Sequence, residues 1–209
     1  MTRIFLVRHG EVEGNSGAHR TFAGWADKPL TPRGELQAQA VANRLARETI
    51  GAVHSSDLQR ARGTAERIAQ KHGLPVRADA ALREVNYGSW EGLGETEILR
   101  DYAADWHARV ADPQTCAPTG GESLADLWRR LEPAWQGIVE ATKSTPESTG
   151  VLVAHNGPIR VLLCQLLGVP MRHFRRIHSD NCGLSLVELK NGAWTILAIN
   201  ETAHLEKVS

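Results

Sequence analysis

Short apolar runs that give way to a loop and then to a helical periodicity recur along this chain. Ile4-Phe5-Leu6-Val7, Ala52-Val53-His54 and Val151-Leu152-Val153-Ala154 are too short for helices and read as strands. Thr31 is placed to cap a helix with Pro32 at its first position, running through Leu36, Ala40, Val41 and Leu45. A second helix follows Ser56, with Leu58, Ala61, Ala65 and Ile68 on one face and Gly73 at its end. Leu124, Leu127, Trp128, Leu131, Trp135, Ile138 and Val139 form an amphipathic stripe, which Pro133 is expected to kink or split near Glu132. After the polar stretch 143–150 and the third strand comes a helix apolar on nearly all sides (Ile159, Val161, Leu162, Leu163, Leu166, Leu167), ended by Gly168. Leu184–Leu189, Asn191-Gly192 and Trp194–Ile199 read as a closing hairpin.

Strand, loop and helix in repeated order predict an α/β fold, a three-layer sandwich with a mostly parallel central sheet and helices on both faces. The segment Gly92–Thr119 is polar, Trp-containing and irregular, and reads as an insertion; a helical lid is expected over about 92–135 of a single domain spanning 1–209. With 209 residues, 42% hydrophobic and 23% charged, the chain can bury a sizeable core.

Lys plus Arg and Asp plus Glu both number 24, so no global field favours nucleic acid or a membrane surface, and any anion preference must be local. No apolar run approaches a transmembrane length, and the four residues before Arg8-His9 are too few for a signal sequence. Cys116, Cys164 and Cys182 show no paired or metal-like spacing, which favours a reduced, cytoplasmic protein with Cys164 as a small core residue. Nine histidines include no His-x-x-His spacing, so no metal is expected, and His19, His72 and His204 read as scattered surface residues.

The chemistry concentrates at Arg8-His9-Gly10, directly after the first strand. Ligands in α/β sheets bind beyond the carboxyl ends of the strands. An imidazole nitrogen there, neutral near pH 7, can attack phosphorus, and the neighbouring guanidinium can hold phosphoryl oxygens through two parallel hydrogen bonds. For the tripeptide alone, a buried Arg-His pair with a structural role is the alternative.

Four further stretches stand in order with it: Phe22-Ala23-Gly24-Trp25, Ser55-Ser56-Asp57-Leu58-Gln59-Arg60, Glu84 within Leu82–Gly92, and His155-Asn156-Gly157-Pro158-Ile159-Arg160 after the third strand. With Gly120-Gly121-Glu122-Ser123, the set resembles the histidine phosphatase superfamily, the phosphoglycerate-mutase-like proteins, from Arg3 to about Ser185. The resemblance implies a phosphohistidine on His9, Arg8 and Arg60 on the phosphoryl oxygens, and His155 beside His9 as a third donor. The start of the helix after His155 is expected to add positive potential. Asn15 occupies the family's position for a further phosphate contact, and Gly24 and Asn156 join the phosphate-binding set. Glu84 is the expected general acid, its carboxyl raised by Trp90 and the incoming dianion, and Glu91 is its rival. Arg62 reads as a surface charge, and the basic run 172–178 as a solvated face or a rim of the pocket.

The chain departs from the family at two of these places. Asn156 replaces the first glycine of a His-Gly-Gly motif, and Val12 stands where a hydroxyl residue is common. The spacing from Asn15 to Gly24, with Gly14, Gly17 and Ala18 nearby, suggests a longer loop and leaves Arg20 unplaced. The resemblance implies no cofactor and a small phosphorylated metabolite as partner, with a homodimer open. The short interval from Glu84 to His155 favours a phosphatase, of α-ribazole, sugar or broad specificity. The Phe22–Trp25 spelling is mutase-like, so a cofactor-dependent phosphoglycerate mutase and a non-catalytic phosphate-binding module remain the alternatives.

Overall fold

Phe5 and Val7 pack with Val53, Val151 and Val153 under one helical layer, while Ile4 and Leu6 pack with Leu152 and Ala154 under the other. Successive side chains of a strand point to opposite faces, and a strand covered on both has no solvent side to mark with polar residues. The structure, a computed structural model, describes residues 1–15 and 20–208. The expectations for His19, Gly17 and Ala18 lie outside the described residues.

Among those residues the sheet has six strands, β1 (Thr2–Arg8), β2 (Ala52–Ser56), β3 (Val76–Asp79), β4 (Thr149–Ala154), β5 (Leu184–Lys190) and β6 (Ala193–Glu201), ordered β3-β2-β4-β1-β5-β6. The first four in that order are parallel; β5 runs antiparallel to β1, and β6 to β5. The helices are α1 (Pro32–Leu45), α2 (Gln59–His72), α3 (Glu95–Asp101), α4 (Ala103–Ala111), α5 (Leu124–Lys143) and α6 (Asn156–Leu167). Side chains of α1 and α2 fill the Phe5–Val7 side, and those of α5 and α6 the Ile4–Leu6 side. The mostly parallel α/β sandwich is therefore present. No helix among the described residues is long and apolar enough to cross a membrane.

Local details account for several boundaries. Thr31 caps α1 by accepting from Gly34 N–H at 3.0 Å, with Pro32 in the first turn. Ala38, Val41, Ala42 and Leu45 face the sheet, whereas Leu36, displaced around the helix from them, is 58% exposed. Gly73 ends α2 at φ 64°, and Asn191 and Gly192 turn the β5–β6 hairpin at φ 53° and 79°.

Three expectations are corrected, and one strand is added. α5 is a single helix through Pro133, which is not a break: Pro133 and Arg129 are both exposed, so water can serve the carbonyl that the missing N–H leaves free. The segment after Gly92 is not irregular, because it carries α3 and α4. His72 and His204 are half-buried rather than surface residues, and a His204 ring nitrogen lies 3.0 Å from the Cys182 carbonyl. Strand β3 went unread because it is an edge strand whose exposed residues lack an apolar run.

Candidate active site

Strands β1 and β4 are parallel neighbours paired Arg8 to Ala154, so the next residues, His9 and His155, leave the sheet side by side. The helix after β1 covers one face and the helix after β4 the other. The strands therefore part at a topological switch point, with a crevice beyond their carboxyl ends. The two imidazole centroids are 5.0 Å apart, and His9 N–H donates to the Ala154 carbonyl at 3.0 Å.

His9 Nδ1 lies 2.6 Å from the Gly10 carbonyl, a contact only a ring N–H can make favourable. Gly10 itself must be a glycine, since a Cβ there would sit 2.5 Å from the Gly34 carbonyl oxygen of α1. Burial, then Arg60 and Arg8, hold the His9 pKa well below the ordinary imidazole value. A neutral ring with its proton on Nδ1 leaves Nε2 with an available lone pair. His155 has the opposite tautomer: its Nδ1 accepts from Arg60 Nε at 3.2 Å, which places the proton on Nε2. That Nε2 is buried without a partner among the described residues.

Arg8 donates through Nη1 to the Ser179 carbonyl at 2.6 Å, while its Nε is buried without a partner among the described residues. Burial lowers its pKa to about 10, so it remains a cation at neutral pH. Arg60, held on the first turn of α2, spends most of its donors on the loop before α1. It donates to the Ala26 carbonyl at 2.7 Å and to those of Gly24 and Ala23 at 2.6 and 3.2 Å. Gly24 therefore anchors Arg60 and does not itself line the cavity. Asn15 and Asn156 do line it; Asn15 Nδ2 and Asn156 Oδ1 are buried and unpartnered among the described residues.

Glu84 is buried with both carboxyl oxygens on Gly157 N–H, at 3.0 and 3.2 Å, and one on Val85 N–H at 2.9 Å. Burial raises its pKa, and these donors together with Arg60 and Arg8 oppose the rise without reversing it. The N–H of Gly157, the second residue of α6, thus serves Glu84. A Cβ on Gly157 would fall 2.3 Å from Glu84 Oε1, so the second glycine of the motif is a space requirement. Glu91 turns away into structure, accepting from the backbone N–H groups of Gly24, Trp25 and Tyr87 at 2.9, 2.9 and 3.1 Å. Arg62 is exposed and paired with Glu66, as expected.

The groups that aim Glu84 escaped the sequence reading. Arg130 of α5 donates to the carbonyls of Ala81, Arg83 and Glu84 at 2.8, 2.9 and 2.7 Å and forks onto Glu122 at 2.8 Å. Trp25 Nε1–H donates to the same Glu84 carbonyl at 2.9 Å. The Gly-Gly-Glu-Ser and Phe-Ala-Gly-Trp stretches thus both brace the loop that carries Glu84. On the other side, Asn181 Nδ2 donates to the His9 carbonyl at 2.9 Å.

Arg8, His9, Asn15, Arg60, Glu84 and Asn156 line a cavity of about 870 Å³, while His155 is wholly buried beside His9 and does not line it. Within the segment 92–135, Gly94–Glu97 and Trp106 and Arg109 of α4 form its wall, whereas Leu131 and Trp135 of α5 pack on the sheet. Phe174 and Arg175 of the basic run also line the cavity, while Met171 and Phe174 anchor that run in the core. Among the described residues no cluster of three or more His, Cys, Asp or Glu is arranged to hold a metal ion.

The sequence profile of the histidine phosphatase superfamily (branch 1) matches residues 4–202. The chain belongs to that superfamily. Its class is that of a phosphoric monoester hydrolase. It is 33% identical over 206 residues to phosphoserine phosphatase 1 of Hydrogenobacter thermophilus, covering 98% of this chain and 95% of the relative. It is 36% identical over 212 aligned positions to a protein named probable phosphoglycerate mutase GpmB of Yersinia enterocolitica, covering 99% and 96%. A mycobacterial glucosyl-3-phosphoglycerate phosphatase superposes with a TM-score of 0.85 at 29% identity, over 97% of this chain and all of that one. The alpha-ribazole phosphatase of Shigella flexneri superposes at 0.86 and 27% identity, over 97% and 98%.

Proposed function

We propose that this protein hydrolyses a small phosphate monoester through a phosphohistidine on His9, without a metal ion. The observation that carries the reading is the 2.6 Å contact between His9 Nδ1 and the Gly10 carbonyl, which leaves Nε2 of a neutral ring free to attack. The phosphoryl group enters between Arg8, Asn15 Nδ2 and His155 Nε2, with Arg60 completing the positive wall; Asn156 joins the donors when its amide is turned to present Nδ2, since its Oδ1 only accepts. Such fixed donors stabilise the equatorial oxygens as charge redistributes.

In the first step Nε2 forms a bond to phosphorus while the bond to the ester oxygen breaks, and Glu84 gives its proton to the departing alkoxide. In the second, the Glu84 carboxylate takes a proton from water, whose oxygen attacks phosphorus as the P–N bond breaks. Inorganic phosphate leaves and both groups are restored. The raised pKa of Glu84 favours the loaded acid, and the depressed pKa of His9 favours the nucleophilic base.

Relatives named for phosphoserine, glucosyl-3-phosphoglycerate and alpha-ribazole support a small phosphorylated metabolite as the substrate class without selecting one. The 36% identical relative named as a mutase favours a second reading, transfer of the same phosphoryl group back to an organic acceptor. Release of phosphate from an aryl phosphate in chelator, abolished in His9→Ala, is the expected result. Isomerisation of a phosphoglycerate outpacing phosphate release would favour the mutase instead.

A further inference from the structure

Six arginines line the cavity, Arg8, Arg20, Arg60, Arg109, Arg160 and Arg175, and none has a carboxylate within 4 Å among the described residues. A single phosphoryl group uses the positive wall around His9, and Arg109 is satisfied by the carbonyls of Cys116 and Glu122 at 2.8 and 2.9 Å. Arg160 is different. It stands on the first turns of α6, only half-buried as a residue, yet its Nε is wholly buried with no hydrogen bond or ion pair among the described residues. Beyond its burial, the charges it feels are the carboxyl of Glu84, which is not within ion-pair distance, then Tyr87, and the like charges of Arg20 and Arg175.

A desolvated donor of this kind costs free energy unless something binds it, and a guanidinium selects a planar or tetrahedral anion. The cavity is also much larger than a phosphoryl group needs, and Phe22, Tyr87 and Trp106 line it as well.

We propose that Arg160, with Arg175 at the rim, binds a second anionic group on the leaving alcohol, so that the preferred substrate is a phosphate monoester bearing a further carboxylate or phosphate. The inference rests on the monoester reading above. It makes Arg160 a specificity residue for the leaving group rather than a clamp on the transferred phosphoryl group.

The test compares substrates that differ in one charge, using wild type, Arg160→Gln and Arg160→Lys. One arm sets 3-phosphoglycerate against glycerol 3-phosphate; the other sets glucose 1,6-bisphosphate against glucose 6-phosphate. An aryl phosphate reports the chemistry common to all. Wild type is expected to favour the doubly anionic member of at least one pair, and the arm that responds identifies carboxylate or phosphate. Arg160→Gln should lose about 10–100-fold in kcat/KM on that member, the scale of a charge-assisted bond, with the aryl phosphate little changed. Arg160→Lys should recover part of the loss because it keeps charge but not the fork. Equal losses on all substrates, or no preference in either wild-type pair, would overturn the inference while leaving the phosphatase reading intact. A wild type inactive even on the aryl phosphate would overturn both.

Discussion

The imidazoles of His9 and His155 meet at 5.0 Å with opposite tautomers, one set by the Gly10 carbonyl and the other by Arg60 Nε. One ring therefore offers a lone pair and the other an N–H, and a tetrahedral anion between them can use both. Residues far apart in the chain reach this arrangement through one register, the pairing of Arg8 with Ala154.

Glu84 should control the alkaline side of the pH profile. Its pKa is raised from 4.5, so the proton-loaded acid persists above that pH and activity falls as pH climbs through the raised value. His9 is depressed from 6.5, so the nucleophile stays unprotonated below that pH and the acid limb lies under it. In Glu84→Gln the alkaline limb should vanish, with kcat/KM on an alkyl phosphate down about 10²-fold and a much smaller loss on an aryl phosphate, whose leaving group needs no proton. Equal losses on both esters would deny Glu84 the acid's part.

Gly157→Ala inserts a methyl 2.3 Å from Glu84 Oε1 and 2.9 Å from Val85 Cγ2. Overpacking of this kind costs about 1–3 kcal/mol, and the displaced carboxyl should lower kcat more than it raises KM. Thermal unfolding with steady-state kinetics reads both; a variant with native Tm and kcat would show that the glycine is not required.

Arg130→Met should act on the acid from a distance. It removes donors from three carbonyls of the Glu84 loop and leaves Glu122 without its fork. Stability should fall by about 1–3 kcal/mol, and the alkaline limb of the pH profile should shift because Glu84 is no longer held in place. A stability loss with an unmoved profile would make Arg130 purely structural.

Much of this was legible in the chain because local rules decide it. Thr31-Pro32, Gly73 and Asn191-Gly192 act within a turn of themselves, and Arg8-His9 and His155 follow runs whose burial on two faces leaves an apolar signature. The remainder depends on packing between distant segments. Nothing near Arg130 in sequence announces that it braces residues 81–84, and Arg160 differs from any helix arginine only through the cavity it faces. Gly157 was readable as a motif letter, but its reason, the Glu84 carboxyl against its Cα, exists only in the folded chain. Gly24 is the converse case: its motif letter points to the phosphate, whereas its carbonyl holds Arg60, a contact that only the folded chain makes.

Chelation should leave turnover unchanged, since buried arginines supply the positive charge that a metal provides elsewhere and the neutral His155 ring adds an N–H donor. Phosphate release from an aryl phosphate before and after chelator measures this directly. Loss of activity restored by a divalent cation would require a different mechanism.

The most direct test is to quench turnover of a radiolabelled monoester and locate the label by peptide mapping. The expected result is an acid-labile phosphoryl group on His9, absent from His9→Ala, which should also lose about 10³-fold or more in rate. Label on another residue, or a His9→Ala protein that still turns over at the wild-type rate, would contradict it.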